Sequence, residues 1–212
     1  MIQQTVAATR WWRSIAIALV AIALAPIAAA QEAPDAQVKR VSEDVIATIK
    51  ADPLIQAGNE ARIREVMDTK LVPNFDFAKM TALAMGRNWR NATPEQQQKL
   101  TAEFRMLLVR TYSVSLTKYR DEKIEYKPLR AAPNETDVTV RTSVIKASGG
   151  SPIPMDYSMI KTDSGWKVYD VIVGGVSLVT NYRDEFNEQI KSGGIDGLIA
   201  ALAAKNKGAA AK

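Results

Sequence analysis

Among the carboxylates of the C-terminal half, Asp156, Asp163, Asp170, Asp184, Glu185 and Glu188 are candidates for acid–base chemistry. Asp170 is the most suspect, because it interrupts the apolar run Trp166–Val173, where burial would make its carboxyl hold a proton more tightly. Its plainer role is a hydrogen-bonded tie between a strand and the helix that follows. No two of these acids stand out as a glycosidase dyad. The chain contains no His and no Cys. Thiolate zinc sites, His-ligated metals, Ser-His-Asp triads and Cys-His dyads are therefore excluded, and any enzyme here would rely on carboxylates, Lys or Tyr. The glycine pairs 149–150, 174–175 and 193–194 lack the Lys-Ser/Thr context of a phosphate loop. The residues call for neither a metal nor a cofactor.

The other signal is apolar. Met155, Tyr157, Met159, Trp166 and Tyr169 form a methionine and aromatic stripe that suits either a filled core or a ligand cavity. The elements that position it centre on residues 166–197. A β-type run, Trp166–Val173, meets Gly174 and Gly175. Leu178, Val179, Tyr182, Phe186 and Ile190 then recur at helical spacing, and Gly193 stands where a helix C-cap belongs. The spacing predicts a sheet surface turning directly into a helix that lies against it.

Upstream, the period is helical. Val38, Val41, Val45, Ile46 and Ile49 share one face of a helix over 36–50, with Asp35 as its N-cap, and Asp52-Pro53 stops it. A second helix is expected over 59–71 and a third over 75–85. Thr93-Pro94-Glu95-Gln96 reads as a capping box with proline at the first helical position, opening a long helix to about Tyr119. After Asp121 the period becomes two. Strands over 123–129, 135–147, 153–161 and 166–173, joined by short turns, make an antiparallel meander. Closing helices are expected over 178–190 and 195–202. Helices first and sheet afterwards is an α+β order.

Arg10 and Arg13, the apolar run 14–25, and Ala28-Ala29-Ala30 read as a signal peptide cleaved near Ala30. Twelve apolar residues fall short of the ~20 that a bilayer core requires. Residues 31–204 then form one domain, and 205–212 an Ala/Lys tail expected to be disordered. Net charge is +5, or +3 without the two leader arginines. That mild, scattered excess argues against nucleic acid. A secreted chain without disulfides suits a bacterial periplasm.

Three groups of residues carry a family resemblance. They are Tyr169-Asp170-Val171-Ile172 with Gly175-Val176-Ser177, the run 193–198 (Gly-Gly-Ile-Asp-Gly-Leu), and the segment 84–96 (Ala-Met-Gly-Arg-Asn-Trp through Ala-Thr-Pro-Glu-Gln). In order and spacing they strongly resemble the MlaC family, also called the toluene-tolerance auxiliary family; Gly174 is a glycine that this pattern does not require. The resemblance implies a periplasmic, monomeric, non-enzymatic phospholipid carrier that helps maintain outer-membrane asymmetry. Its implied partners are a phospholipid ligand, an inner-membrane ABC transporter complex with its MCE-domain ring, and an outer-membrane lipoprotein–porin complex. The implied fold is a helical N-terminal half plus a curved antiparallel sheet of nuclear-transport-factor type, enclosing a hydrophobic lipid cavity.

Face and spacing nominate its walls: Phe104, Leu108 and Tyr112 from the long helix; Val138, Val140 and Val144 from one strand; Met155, Tyr157 and Met159 from the next. Tyr169, Val171, Val173, Val176 and Val179 would close the far side. Arg87, Arg90 and Arg183 are candidates for head groups or partner surfaces, with ordinary solvated arginine as the plainer reading. Two rivals stand beside the carrier: an isomerase-like enzyme with Asp170 or Asp156 as base, and a helix-rich adaptor with a full core.

Overall fold

The computed structural model describes residues 31–117, 121–132 and 134–208. The leader over 1–30, the last turn expected of the long helix at 118–119, and residues 209–212 lie outside the described residues.

Helix α1 (Pro34–Ala51) starts at Pro34, whose ring presets the first helical φ, so Asp35 is a first-turn acid and not the cap. Asp52 ends α1 and caps the next turn, α2 (Pro53–Gln56), accepting from the amides of Leu54 and Ile55. Asn59 caps α3 (Glu60–Val66). The segment expected as one helix to Leu71 changes at Met67–Leu71 into a π-helical turn, in which the Val72 amide reaches back five residues to the Met67 carbonyl. A 3-10 turn (Val72–Asn74) leads to α4 (Phe77–Met85), capped by Asp76.

The capping box predicted at Thr93 is present. Gln96 N donates to Thr93 Oγ1 at 3.2 Å, and Thr93 N donates to Gln96 Oε1 at 3.0 Å. It opens α5 (Pro94–Thr117).

Five strands follow: β1 (Lys123–Tyr126), β2 (Asp137–Ile145), β3 (Ile153–Thr162), β4 (Gly165–Val173) and β5 (Val176–Ser177). They pair antiparallel in chain order, the meander that the turns predict. Gly174 and Gly175 both take positive φ, as a two-residue I′ hairpin requires, so the glycine at 174 is demanded by the β4–β5 turn.

That hairpin also moves the closing helix. Leu178 and Val179 lie in the turn after β5, a 3-10 turn covers Thr180–Tyr182, and α6 (Arg183–Gly208) begins only at Arg183. The break in α6 falls at Gly194 (φ 68°, ψ −170°) and not at Gly193. The last turn of α6 takes in Lys205–Gly208, where a tail was expected. Asn206 is buried there, its amide held by the Glu103 carbonyl and carboxylate.

The core is divided into three clusters. Met80, Met85, Leu100, Phe104, Phe186, Leu198 and Leu202 join α4, α5 and α6, with Val179 from the turn after β5. Two T-shaped ring pairs, Phe104 with Tyr182 and with Phe186, have centroids 5.1 Å apart. Val38 of α1 packs on Val138, Val140, Met159, Trp166 and Val168 of the sheet. Val45, Ile49, Ile55, Ile63 and Val66 tie α1 to α2 and α3.

Candidate lipid-binding cavity

The three clusters do not close on one another. Between them lies an apolar cavity of about 390 Å³, touched by members of all three. That volume is within the range of small-ligand pockets, ~300–1,000 Å³.

Helix α1 supplies one whole wall. Val38, Val41, Val45, Ile46 and Ile49 face inward, with Ser42 among them. The helix is pinned over the sheet by Gln37, whose amide donates to the Trp166 carbonyl at 3.0 Å and to Asn74 Oδ1 at 3.1 Å. The π-turn adds Met67 and Leu71, and Val72, Phe75, Phe77 and Met80 continue the wall. A π-turn spreads the helix by one residue per turn, and such turns recur at functional sites.

From α5 come Leu108, Val109 and Tyr112. Burial and the neighbouring Tyr182 phenol push the Tyr112 hydroxyl up to about 12. The sheet supplies Ile124, Val144, Met155, Tyr157, Met159, Val168, Val171 and Val173, and Leu178 closes the β5 end. Glu122 is the one formally charged side chain among the lining residues.

Eight nominated residues line this space: Leu108, Tyr112, Val144, Met155, Tyr157, Met159, Val171 and Val173. Six lie elsewhere. Phe104 shares the stripe of Leu108 one turn earlier on α5, but there Tyr182 and Phe186 cover it completely. Val138 and Val140 share the cavity-facing side of β2, but Val38, Met159 and Trp166 fill the space above them.

Tyr169 is displaced by a β-bulge. Met159 pairs with Val168 and Ser158 with Asp170, so Tyr169 is the extra residue. Its hydroxyl donates to Asp137 at 2.6 Å, and Lys79 sits over its ring at 4.0 Å. Val176 turns outward from an edge strand and is 57 % exposed. Val179 is buried in the helical cluster.

Reading the sequence missed the α1 wall, although the stripe that forms it was legible. It also missed Val168, because the bulge reverses the alternation of β4.

The candidate bases face away from the cavity. Asp170 Oδ2 accepts from Ser177 Oγ at 2.6 Å, and Oδ1 accepts from the Val179 amide at 3.3 Å. These bonds tie β4 to the turn after β5. Asp156 alternates with Met155 and Tyr157 and so lies on the opposite side of β3, across from Arg141. Arg183 donates to the Leu83 carbonyl, closing the end of α4. Arg87 and Arg90 are exposed in the 3-10 turn after α4 and touch no part of the cavity. No helix among the described residues is long and apolar enough to cross a membrane.

The chain is similar to proteins of known character. The intermembrane phospholipid transport system binding protein MlaC of Haemophilus influenzae is 22% identical over 195 residues, 91% of each chain. The toluene tolerance protein ttg2D of Pseudomonas putida is 27% identical over 188 residues, covering 87% of this chain and 84% of that one. A solved structure of a phospholipid-binding protein from Ralstonia solanacearum, in complex with a phospholipid, is 43% identical with a TM-score of 0.76. That likeness covers 83% of this chain and 98% of the other. The pattern of the MlaC protein family matches residues 39–204, and the chain belongs to that family.

Proposed function

We propose that this protein is a periplasmic phospholipid carrier. It is exported by its leader, cleaved near Ala30, and works as a monomer. It moves glycerophospholipids between an outer-membrane lipoprotein–porin complex and an inner-membrane ABC transporter complex with its MCE-domain ring, and so helps maintain outer-membrane asymmetry. The acyl tails occupy the cavity between α1, the π-turn, α5 and the sheet, and the head group stays near solvent. The observation that carries this reading is the apolar cavity left where three side-chain clusters fail to meet.

The physics favours such a carrier. Two acyl tails hold roughly 30 methylenes, which at about 0.8 kcal/mol each makes transfer to water cost about 24 kcal/mol. That exceeds the ~18–21 kcal/mol at which non-covalent affinities level off. A lipid therefore crosses an aqueous compartment in useful time only inside an apolar container. Exchange between bilayer and cavity is then close to neutral, and direction comes from partners. No residue of this chain has to make or break a bond.

The test is extraction of the purified, natively exported protein with organic solvent, followed by mass spectrometry. About one equivalent of phospholipid is expected. Folded protein that carries none, and accepts none from vesicles, would overturn the reading.

A further inference from the structure

The cavity is walled by two kinds of side chain. Twelve of the lining residues are Val or Ile, five of them on α1. A β-branched side chain keeps close to one χ1 in a helix and is restricted in a strand, so these walls are stiff. Among them stand four methionines, Met67, Met80, Met155 and Met159. The chain has seven in all. Of the others, Met1 begins the chain, Met85 is buried in the helical cluster and Met106 is exposed. Methionine is unbranched, turns about three side-chain bonds, and fills irregular gaps without strain.

Met67 comes from the π-turn, Met80 from α4 and Met155 from β3, so three separate elements each contribute a soft position. Met67 and Met80 are 9% and 4% exposed, and Met155 is half-buried, so each keeps accessible surface. Met159 has none and stays within the sheet cluster. The Tyr157 hydroxyl donates to Met155 Sδ at 3.0 Å. A thioether is a weak acceptor, and χ3 can swing the terminal methyl about a fixed sulfur.

Walls of branched side chains alone would suit one tail shape and penalise others, because each misfit forces a side chain out of its rotamer. Soft positions on three elements let the same walls close on a straight tail or on one bent by cis double bonds. We propose that Met67, Met80 and Met155 set the acyl-chain range of the carrier, re-packing around saturated and cis-unsaturated tails so that both bind alike. This inference rests on the carrier reading above.

Loading the mature protein from fluid vesicles of equimolar palmitoyl-oleoyl, dioleoyl and dilinoleoyl phosphatidylcholine tests it. The head group is constant and the number of kinks rises, and the bound lipids are weighed by mass spectrometry. The native protein should carry all three within about twofold of their vesicle ratio. The triple variant Met67→Ile, Met80→Ile, Met155→Ile keeps side-chain size but stiffens χ1. It should disfavour at least one of the lipids by roughly fivefold, the worth of one off-rotamer side chain. Met155→Ile alone should shift the ratio by about twofold or more, and it decides where the triple variant does not fold. Protein made with norleucine in place of methionine keeps the flexible stem without the sulfur and should stay as even as the native. A native protein that departs from that evenness, isoleucine variants that keep it, or a norleucine protein as selective as those variants would overturn the methionine role and leave the carrier standing. Failure of the native protein to load any of the three lipids would overturn both.

Discussion

Val168 and Val171 sit three residues apart on one strand, yet both face the cavity. Strict alternation would put them on opposite sides of the sheet. The bulge at Tyr169 absorbs one residue and reverses the phase, and the Val168 carbonyl accepts the Asp76 amide at 2.9 Å, docking the start of α4 at that bend. The same step lets β4 serve the sheet cluster at its beginning and the cavity at its end.

A charge placed in the cavity should be tolerated by the fold and refused by the ligand. Val171→Asp is expected to stay folded by circular dichroism while co-purified lipid falls roughly tenfold or more. Val140→Asp should instead prevent folding, because Val140 is 1% exposed within a filled cluster. Val176→Lys should change neither quantity, its side chain being on the outside.

Asp170 is expected to be a structural residue. Asp170→Ala removes the acceptor for Ser177 and leaves the buried Val179 amide unpaired, so it should destabilise by about 1–3 kcal/mol. Thermal melting and lipid content measured on the same sample check this. Melting should drop, with the lipid retained below the new transition.

The two glycines in the middle of α6 should respond in opposite ways. Gly194 holds a conformation that is essentially reserved for glycine, and Gly194→Ala should cost about 1–3 kcal/mol. At roughly 2–4 °C per kcal/mol for a chain of this size, calorimetry resolves the loss. Gly193 has no such φ and has open space at its Cβ position, so Gly193→Ala should be neutral or slightly stabilising.

The buried phenols predict an alkaline limit. Tyr157 ionises at about 12 in the folded protein and near ~10 when unfolded. Its contribution to stability is complete below ~10 and is lost as pH rises through 12. Tyr157→Phe should therefore move the alkaline unfolding midpoint upward, as followed by tyrosinate absorbance together with circular dichroism.

What the sequence determined by itself was local. The capping box at Thr93 and Gln96, the proline and aspartate stops, the meander turns and the apolar stripes are each set by neighbours a few residues away, and they carry enough pattern to place the chain in its family. Tertiary structure decided which apolar faces meet each other and which meet empty space. Phe104 and Leu108 occupy the same stripe of α5, one against α6 and the other against the cavity. Periodicity tells which side of an element avoids water; whether atoms or a void lie opposite depends on elements brought together from far along the chain.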